Sequence, residues 1–195
     1  MILNKFNDII FLYCNCFILF MNIINIHNLA KDLNKEDFIS KYLNNKEIDI
    51  EFIYESDFIN AKILRDFIEI ICNKLWFPHK DVSRFILIVD ELNNNAIEYW
   101  TLKWFQNKLR IKTNWDSESV NINIEVEDSW NWLKHKNALE METLRAHQLK
   151  LWYWNHESIR WRGLFMITVK SVDRLYFKDT ESGGLIVWIR KNIEI

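Results

Sequence analysis

Apolar residues recur along this chain at two different periods, and each change of period marks a new element. Ile48 to Tyr54 (IDIEFIY) alternates apolar and polar side chains, the spacing of a strand with one buried face. Ile63, Leu64, Phe67, Ile68, Ile71 and Leu75 then recur at helical spacing, which predicts a helix over Ala61 to Leu75 with Ser56 and Asp57 placed to cap it. Trp76-Phe77-Pro78 breaks that pattern. A second helix is expected from Asp81 to Tyr99, with Val82, Phe85, Ile86, Val89, Leu92 and Ala96 as its inner stripe. Alternation returns over Lys108 to Thr113 and Val120 to Asp128. Ser129 to Arg160 is polar with weak periodicity and too long for an ordinary connector, so it reads as a functional lid or a disordered stretch. A third helix, Gly163 to Val172, precedes two strands, Arg174 to Lys178 and Gly184 to Arg190. Elements in this order predict an α+β fold, a two-layer sandwich whose mixed, mostly antiparallel sheet carries helices on one face.

The pattern sets a globular domain at residues 48–191, preceded by an apolar extension (1–27) and a leader (28–47). Ile9 to Asn25 is strongly apolar but broken by Asn15 and Asn22, which is marginal for a membrane span of about 20 apolar residues. It also lacks the small-residue cleavage site of a secretory signal. Three readings stay open: AT-rich upstream sequence read in frame with Met21 as the true start, a membrane anchor, or a peripheral docking helix. Without an anchor the expected location is the cytoplasm. Lys and Arg number 25 against 27 Asp and Glu, a net charge of −2, so no basic field argues for direct nucleic-acid binding. Cys14, Cys16 and Cys72 lack zinc-site spacing and read as reduced thiols. Function must therefore come from a site.

Composition adds one anomaly, ten Trp against three Gly. Asn114-Trp115-Asp116 stands between two alternating runs, the setting of an Asn-Gly hairpin turn, yet Trp tolerates the positive φ of such a turn poorly. Reading every Trp as Gly brings glycine back to roughly the 7% of an average chain. The pattern is that of UGA codons read as Gly in the source organism and rendered here as Trp. Trp76, Trp100, Trp115, Trp130, Trp132, Trp154 and Trp161 fit glycine on local grounds. Trp188 lies in a strand pattern and fits a true aromatic, and Trp104 and Trp152 match no identifiable glycine.

Glu91 and Asn95 share one face of the second helix, although such a pair on an amphipathic helix is ordinarily solvated. Asp128 falls in phase with Ile122, Ile124 and Val126, so it either aims a carboxylate at the core, where it needs a partner, or opens the next turn. Restoring Gly turns Asp128-Ser129-Trp130-Asn131-Trp132 into Asp-Ser-Gly-Asn-Gly and Trp161-Arg162-Gly163-Leu164 into Gly-Arg-Gly-Leu. Glycines spaced by one residue let backbone N–H groups approach a phosphate, above all where the second set opens a helix.

With these motifs together, the chain resembles the GHKL (histidine-kinase-like) ATPase superfamily, and within it the anti-sigma-factor serine/threonine kinases of the RsbW and SpoIIAB kind. Phe85 to Trp100 (FILIVDELNNNAIEYW) is similar to that family's N-box, Val126 to Trp132 (VEDSWNW) to its Asp-x-Gly-x-Gly box, and Trp161 to Asp173 (WRGLFMITVKSVD) to its Gly-x-Gly-Leu box and following helix. Gly183-Gly184-Leu185 is similar to the late Gly-Gly-Thr, with Leu185 in place of the Thr. The resemblance spans Ile48 to Lys191 and implies the histidine-kinase-like ATPase fold with ATP and Mg2+ as ligands. Asp128 would accept the adenine amino hydrogen, Asn95 would ligate Mg2+, and Glu91 would act as general base. Trp130, Trp132 and Trp161 would occupy glycine slots of the ATP-binding set together with Leu164; with glycine there, Arg162 and Gly163 would sit against the phosphates, and residues 133 to 160 would form the lid. His135, His147 and His156 fall in or near that lid without zinc spacing. The partners implied are a sigma factor and an anti-anti-sigma antagonist, in a family whose members are commonly homodimers. Two other functions stand beside the kinase: a non-catalytic interaction module with a degenerate pocket, and the ATPase part of a sensor histidine kinase. Against the last, nothing before Ile48 looks like a phosphoacceptor helix pair, and His27 lacks an acidic neighbour.

Overall fold

In the computed structural model, residues 21–30, 32–43, 47–100, 105–129, 136–152 and 171–194 are described. Strands β1 (Asn22–Asn25), β2 (Asp49–Glu55), β3 (Gln106–Trp115), β4 (Ser119–Glu127), β5 (Arg174–Asp179) and β6 (Leu185–Glu194) form one sheet in the order β1-β2-β3-β4-β6-β5. Among the described residues, only the β1–β2 pair is parallel. Helices α2 (Phe58–Lys74) and α3 (His79–Asn95) cover one face, so the chain is an α+β two-layer sandwich, as its periodicity implies.

The register follows from the alternation. Leu109 stands opposite Val126, Ile111 opposite Ile124 and Thr113 opposite Ile122, all buried on the helix side. Val187 and Ile189 of β6 continue that layer. Leu64, Phe67, Ile68 and Ile71 of α2 and Phe85, Val89 and Leu92 of α3 fill it from above, with Phe52 and Phe67 stacked at 5.1 Å between ring centroids. The opposite face keeps its charges in ladders: Arg110 holds Asp49 through two hydrogen bonds of 2.8 Å, and Lys108 reaches Glu127 at 3.0 Å.

Two parts of the chain show structure that periodicity did not reveal. Short elements within the stretches read as extension and leader pack against the sheet and core. Ile24 of β1 and Ile26, in the 3-10 turn after it, are buried, as is Ile39 of helix α1 (Lys35–Ser40), which Asn34 caps through the N–H groups of Glu36 and Asp37. The elements are only a few residues long, too short to register as periodic. The polar stretch after Ser129 contains helix α4 (Ala138–Trp152), docked by buried Met141 and by Arg145 donating to the Leu175 carbonyl at 3.0 Å. Its apolar residues are spread around its circumference rather than gathered in one stripe, which hides a helix from a periodicity test. The expected third helix lies almost wholly outside the described residues. Residues 1–20 lie outside as well, and among the described residues no helix is long and apolar enough to cross a membrane.

The tryptophans divide. Trp76 follows α2 at φ 60°, the one non-glycine residue with positive φ among those described. Its N–H donates to the Asn73 carbonyl at 3.1 Å and the Phe77 N–H to the Cys72 carbonyl at 3.1 Å, the pair of bonds that closes a helix with a left-handed glycine. The indole is 89% exposed, so it returns almost no burial for the strain. Trp76→Gly is expected to stabilise the fold by about 1 kcal/mol, read as a shift of the urea midpoint. Trp76→Ala, which keeps a Cβ, should leave that midpoint near its starting value. Trp115 is a correction. It pairs with Val120 inside the hairpin, in phase with Ile111 and Thr113, and packs against the core. The turn falls instead at Asp116–Ser119, closed by the Asp116 N–H on the Ser119 carbonyl at 2.8 Å. Trp188 is a strand aromatic as expected, its ring 4.7 Å from that of Tyr176.

Candidate nucleotide site

Four strands meet at one end of the sheet, and three of the four inward residues in the row there are polar. Tyr54 on β2 pairs with Asn107 on β3. One step past the last β3–β4 pair, Lys108 with Glu127, Asn107 meets Asp128. One step past Glu127 with Ile186, Asp128 meets Leu185. All three polar side chains are buried, Asp128 at 1% exposure, so the carboxyl is aimed inward as its phase with Val126 requires.

Asp128 is held on one side only. Its N–H donates to the Leu185 carbonyl at 3.0 Å, and the Leu185 N–H donates to Oδ1 at 2.7 Å. Oδ2 is buried and has no partner among the described residues. Burial pushes the carboxyl up to about 7; the Leu185 N–H opposes that rise, and the charge of Glu127 adds to it. Gly184 presses on the same group. A Cβ there would lie 2.2 Å from the Asp128 carbonyl oxygen and 3.0 Å from Oδ1, so only glycine fits.

Beyond Asp128 the chain is tied to the start of β3. The Ser129 N–H donates to Asn107 Oδ1 at 3.4 Å, the Ser129 hydroxyl donates to the Gln106 carbonyl, and Asn107 Nδ2 donates to Ser56 Oγ at 3.1 Å. Phe105, Gln106, Lys108, Ser129 and Ser182 join Asp128 around a recess of about 560 Å³.

Helix α3 brings its polar last turn to this end of the sheet. Asn93 is fully buried, accepting the Tyr54 hydroxyl on Oδ1 at 2.5 Å and donating from Nδ2 to the Val89 carbonyl at 2.7 Å. Asn95 is 8% exposed, and after it the helix widens into a π turn, Ala96–Trp100, a distortion frequent at functional sites. Glu91 is half-buried; burial raises its carboxyl pKa and the charge of Asp90 adds to the rise. The Tyr54–Asn93 bond ties the last turn of α3, which carries Glu91 and Asn95, to the β2 end of the row that contains Asp128. Trp130, Trp132, Trp161, Arg162, Gly163 and Leu164 lie outside the described residues, as do His135 and His156; His147 is exposed on α4.

Sequence reasoning missed Tyr54, Asn93 and Asn107. Each carried a signal, because each falls in phase with an apolar stripe: Tyr54 with Ile50 and Phe52, Asn107 with Leu109, and Asn93 with Val89 one turn earlier.

The architecture is that of a known two-layer α+β fold. A chain of the SiaB-SiaC complex from Pseudomonas aeruginosa superimposes with a TM-score of 0.53 at 10% identity, covering 84% of this chain and 100% of that one. No protein-family model matches the sequence, and no curated protein matches it.

Proposed function

We propose that the chain is an ATP-dependent serine/threonine protein kinase of the anti-sigma-factor type, which binds a sigma factor in the cytoplasm and phosphorylates an antagonist protein. The observation that carries this reading is the unpaired Oδ2 of Asp128, on a carboxyl whose other oxygen is already taken. A buried acceptor of this kind calls for a donor from a ligand, and the exocyclic amine of adenine is one. Glycine at 130 and 132, directly after it, would free backbone N–H groups for the phosphates, and position 161 with Arg162, Gly163 and Leu164 would do the same at a helix start. The fold neighbour was solved as a complex of two proteins, which supports a role in binding another protein.

The residues of α3 fit the remaining chemistry. Mg2+ held mainly by phosphate and water needs few protein ligands, and the buried carboxamide of Asn95 supplies a neutral oxygen for it. When bound, that ion would neutralise charge on the phosphates. Glu91, with its pKa raised, would take the proton of the attacking serine or threonine hydroxyl as its oxygen bonds to the γ-phosphorus and the bond to ADP breaks.

The test uses the chain carrying Trp130→Gly, Trp132→Gly and Trp161→Gly, called the Gly-restored chain. In it, Glu91→Ala should leave ATP affinity unchanged and slow phosphoryl transfer on the order of 10² or more. An unaltered rate would make Glu91 structural. The indoles at 130, 132 and 161 favour a second reading, a module that binds its protein partner without nucleotide. Failure of the Gly-restored chain to bind Mg-ATP would select that module.

A further inference from the structure

We propose that Tyr54 is a positioning residue, a hydrogen-bonded rivet that sets the last turn of α3, and so Glu91 and Asn95, at a fixed depth over the sheet end that carries Asp128. The inference rests on the nucleotide site proposed above.

Tyr54 is 1% exposed and is the largest fully buried side chain among the described residues. Its ring belongs to the apolar layer with Phe52, but its hydroxyl must be satisfied, and Asn93 satisfies it. Asn93 spends its other end on the Val89 carbonyl of its own helix, so its carboxamide is committed to one bond within α3 and one to β2. It sits two residues from Glu91 and two from Asn95, within the turn that carries both. A leucine at this place would pack and could slide. A buried hydroxyl–carboxamide pair is satisfied at only one rotation and depth of the helix, and any slip leaves two polar groups desolvated. On its other side Tyr54 is paired with Asn107, whose neighbour in the row is Asp128. The phenol is near enough to Asp128 that the carboxylate charge adds to the effect of burial in raising its pKa. Tyr54 thus stands where the helix that would carry the metal and base groups meets the row that would read the purine.

The test compares Tyr54→Phe with the double variant Tyr54→Phe/Asn93→Leu, which replaces both polar partners with apolar groups and should recover thermal stability. In the nucleotide-free chain, Tyr54→Phe should speed amide exchange over Glu91 to Asn95 about tenfold while α2 changes less than about twofold. In the Gly-restored chain, both variants should lose about tenfold in Mg2+-dependent ATP affinity, with affinity in the absence of Mg2+ held within about twofold. Unchanged exchange over Glu91 to Asn95 in Tyr54→Phe overturns the proposal. So does a double variant that regains the Mg2+ effect together with its stability, since packing alone would then suffice. If the Gly-restored parent binds no ATP with or without Mg2+, the kinase reading fails and the exchange result alone decides the role of Tyr54.

Discussion

Gly184→Ala is expected to cost the fold about 3 kcal/mol or more, at the upper end of what overpacking produces. The added methyl would stand 2.2 Å from a backbone oxygen, inside any van der Waals contact, and that oxygen belongs to Asp128, directly after the central strand β4. Neither side can yield cheaply. Gly184 is tied into its own turn by the Thr180 N–H on its carbonyl at 2.8 Å and by its N–H on Thr180 Oγ1 at 2.7 Å. Asp128 is bonded twice to Leu185. Chemical denaturation reads the effect directly. Gly183→Ala is the control: Gly183 has φ 88°, so alanine there is strained without pressing on Asp128, and it should cost about 1 to 2 kcal/mol. Equal losses at the two positions would mean that the pressure on Asp128 carries no special weight.

Asp128→Asn is expected to stabilise the nucleotide-free protein above neutrality and to abolish a pH dependence. The carboxyl has a folded value of about 7 against an ordinary aspartate value of 3.8, so between those values the folded chain keeps a proton that the unfolded chain releases. Stability should fall as pH rises from about 4 to about 7 and stay level above that, at a slope of up to 1.36 kcal/mol per pH unit and a total of as much as about 4 kcal/mol. Asparagine has no proton to lose. Its stability should be flat across that window, close to the parent at pH 4 and above it at pH 8. A parent whose stability rises between pH 4 and 7 would mean that a partner holds this carboxylate charged.

The layer architecture was legible because most of its elements are long enough to show a period: β3, β4, α2 and α3 all read clearly from their apolar stripes. Strand β1 and helix α1 were not legible, since four and six residues leave too few repeats, and they enter the core through single side chains such as Ile24 and Ile39. Trp115 misled because the Asn-Trp pair was read as a turn, when counting from Ile111 puts it on the inner face of the strand. In the site, phase offered an inward Asp128 but left a turn there open as well. Its partners could not be placed: the Leu185 N–H lies 57 residues away, and Asn93 was hidden between two residues with a more recognisable motif. Trp76 was legible as a glycine slot because the helix stops there, and the backbone bears that out at φ 60°.

The proposed pocket for a purine triphosphate would be lined by the glycine slots and Asp128. Calorimetric titration of Mg-ATP into the Gly-restored chain, with and without Asp128→Asn, tests it most directly. Binding should be saturable, and Asp128→Asn should weaken it by roughly 1.5 to 3 kcal/mol, the value of a hydrogen bond to a charged group. No heat of binding in the Gly-restored chain, or equal affinity with asparagine at 128, would contradict the proposed pocket.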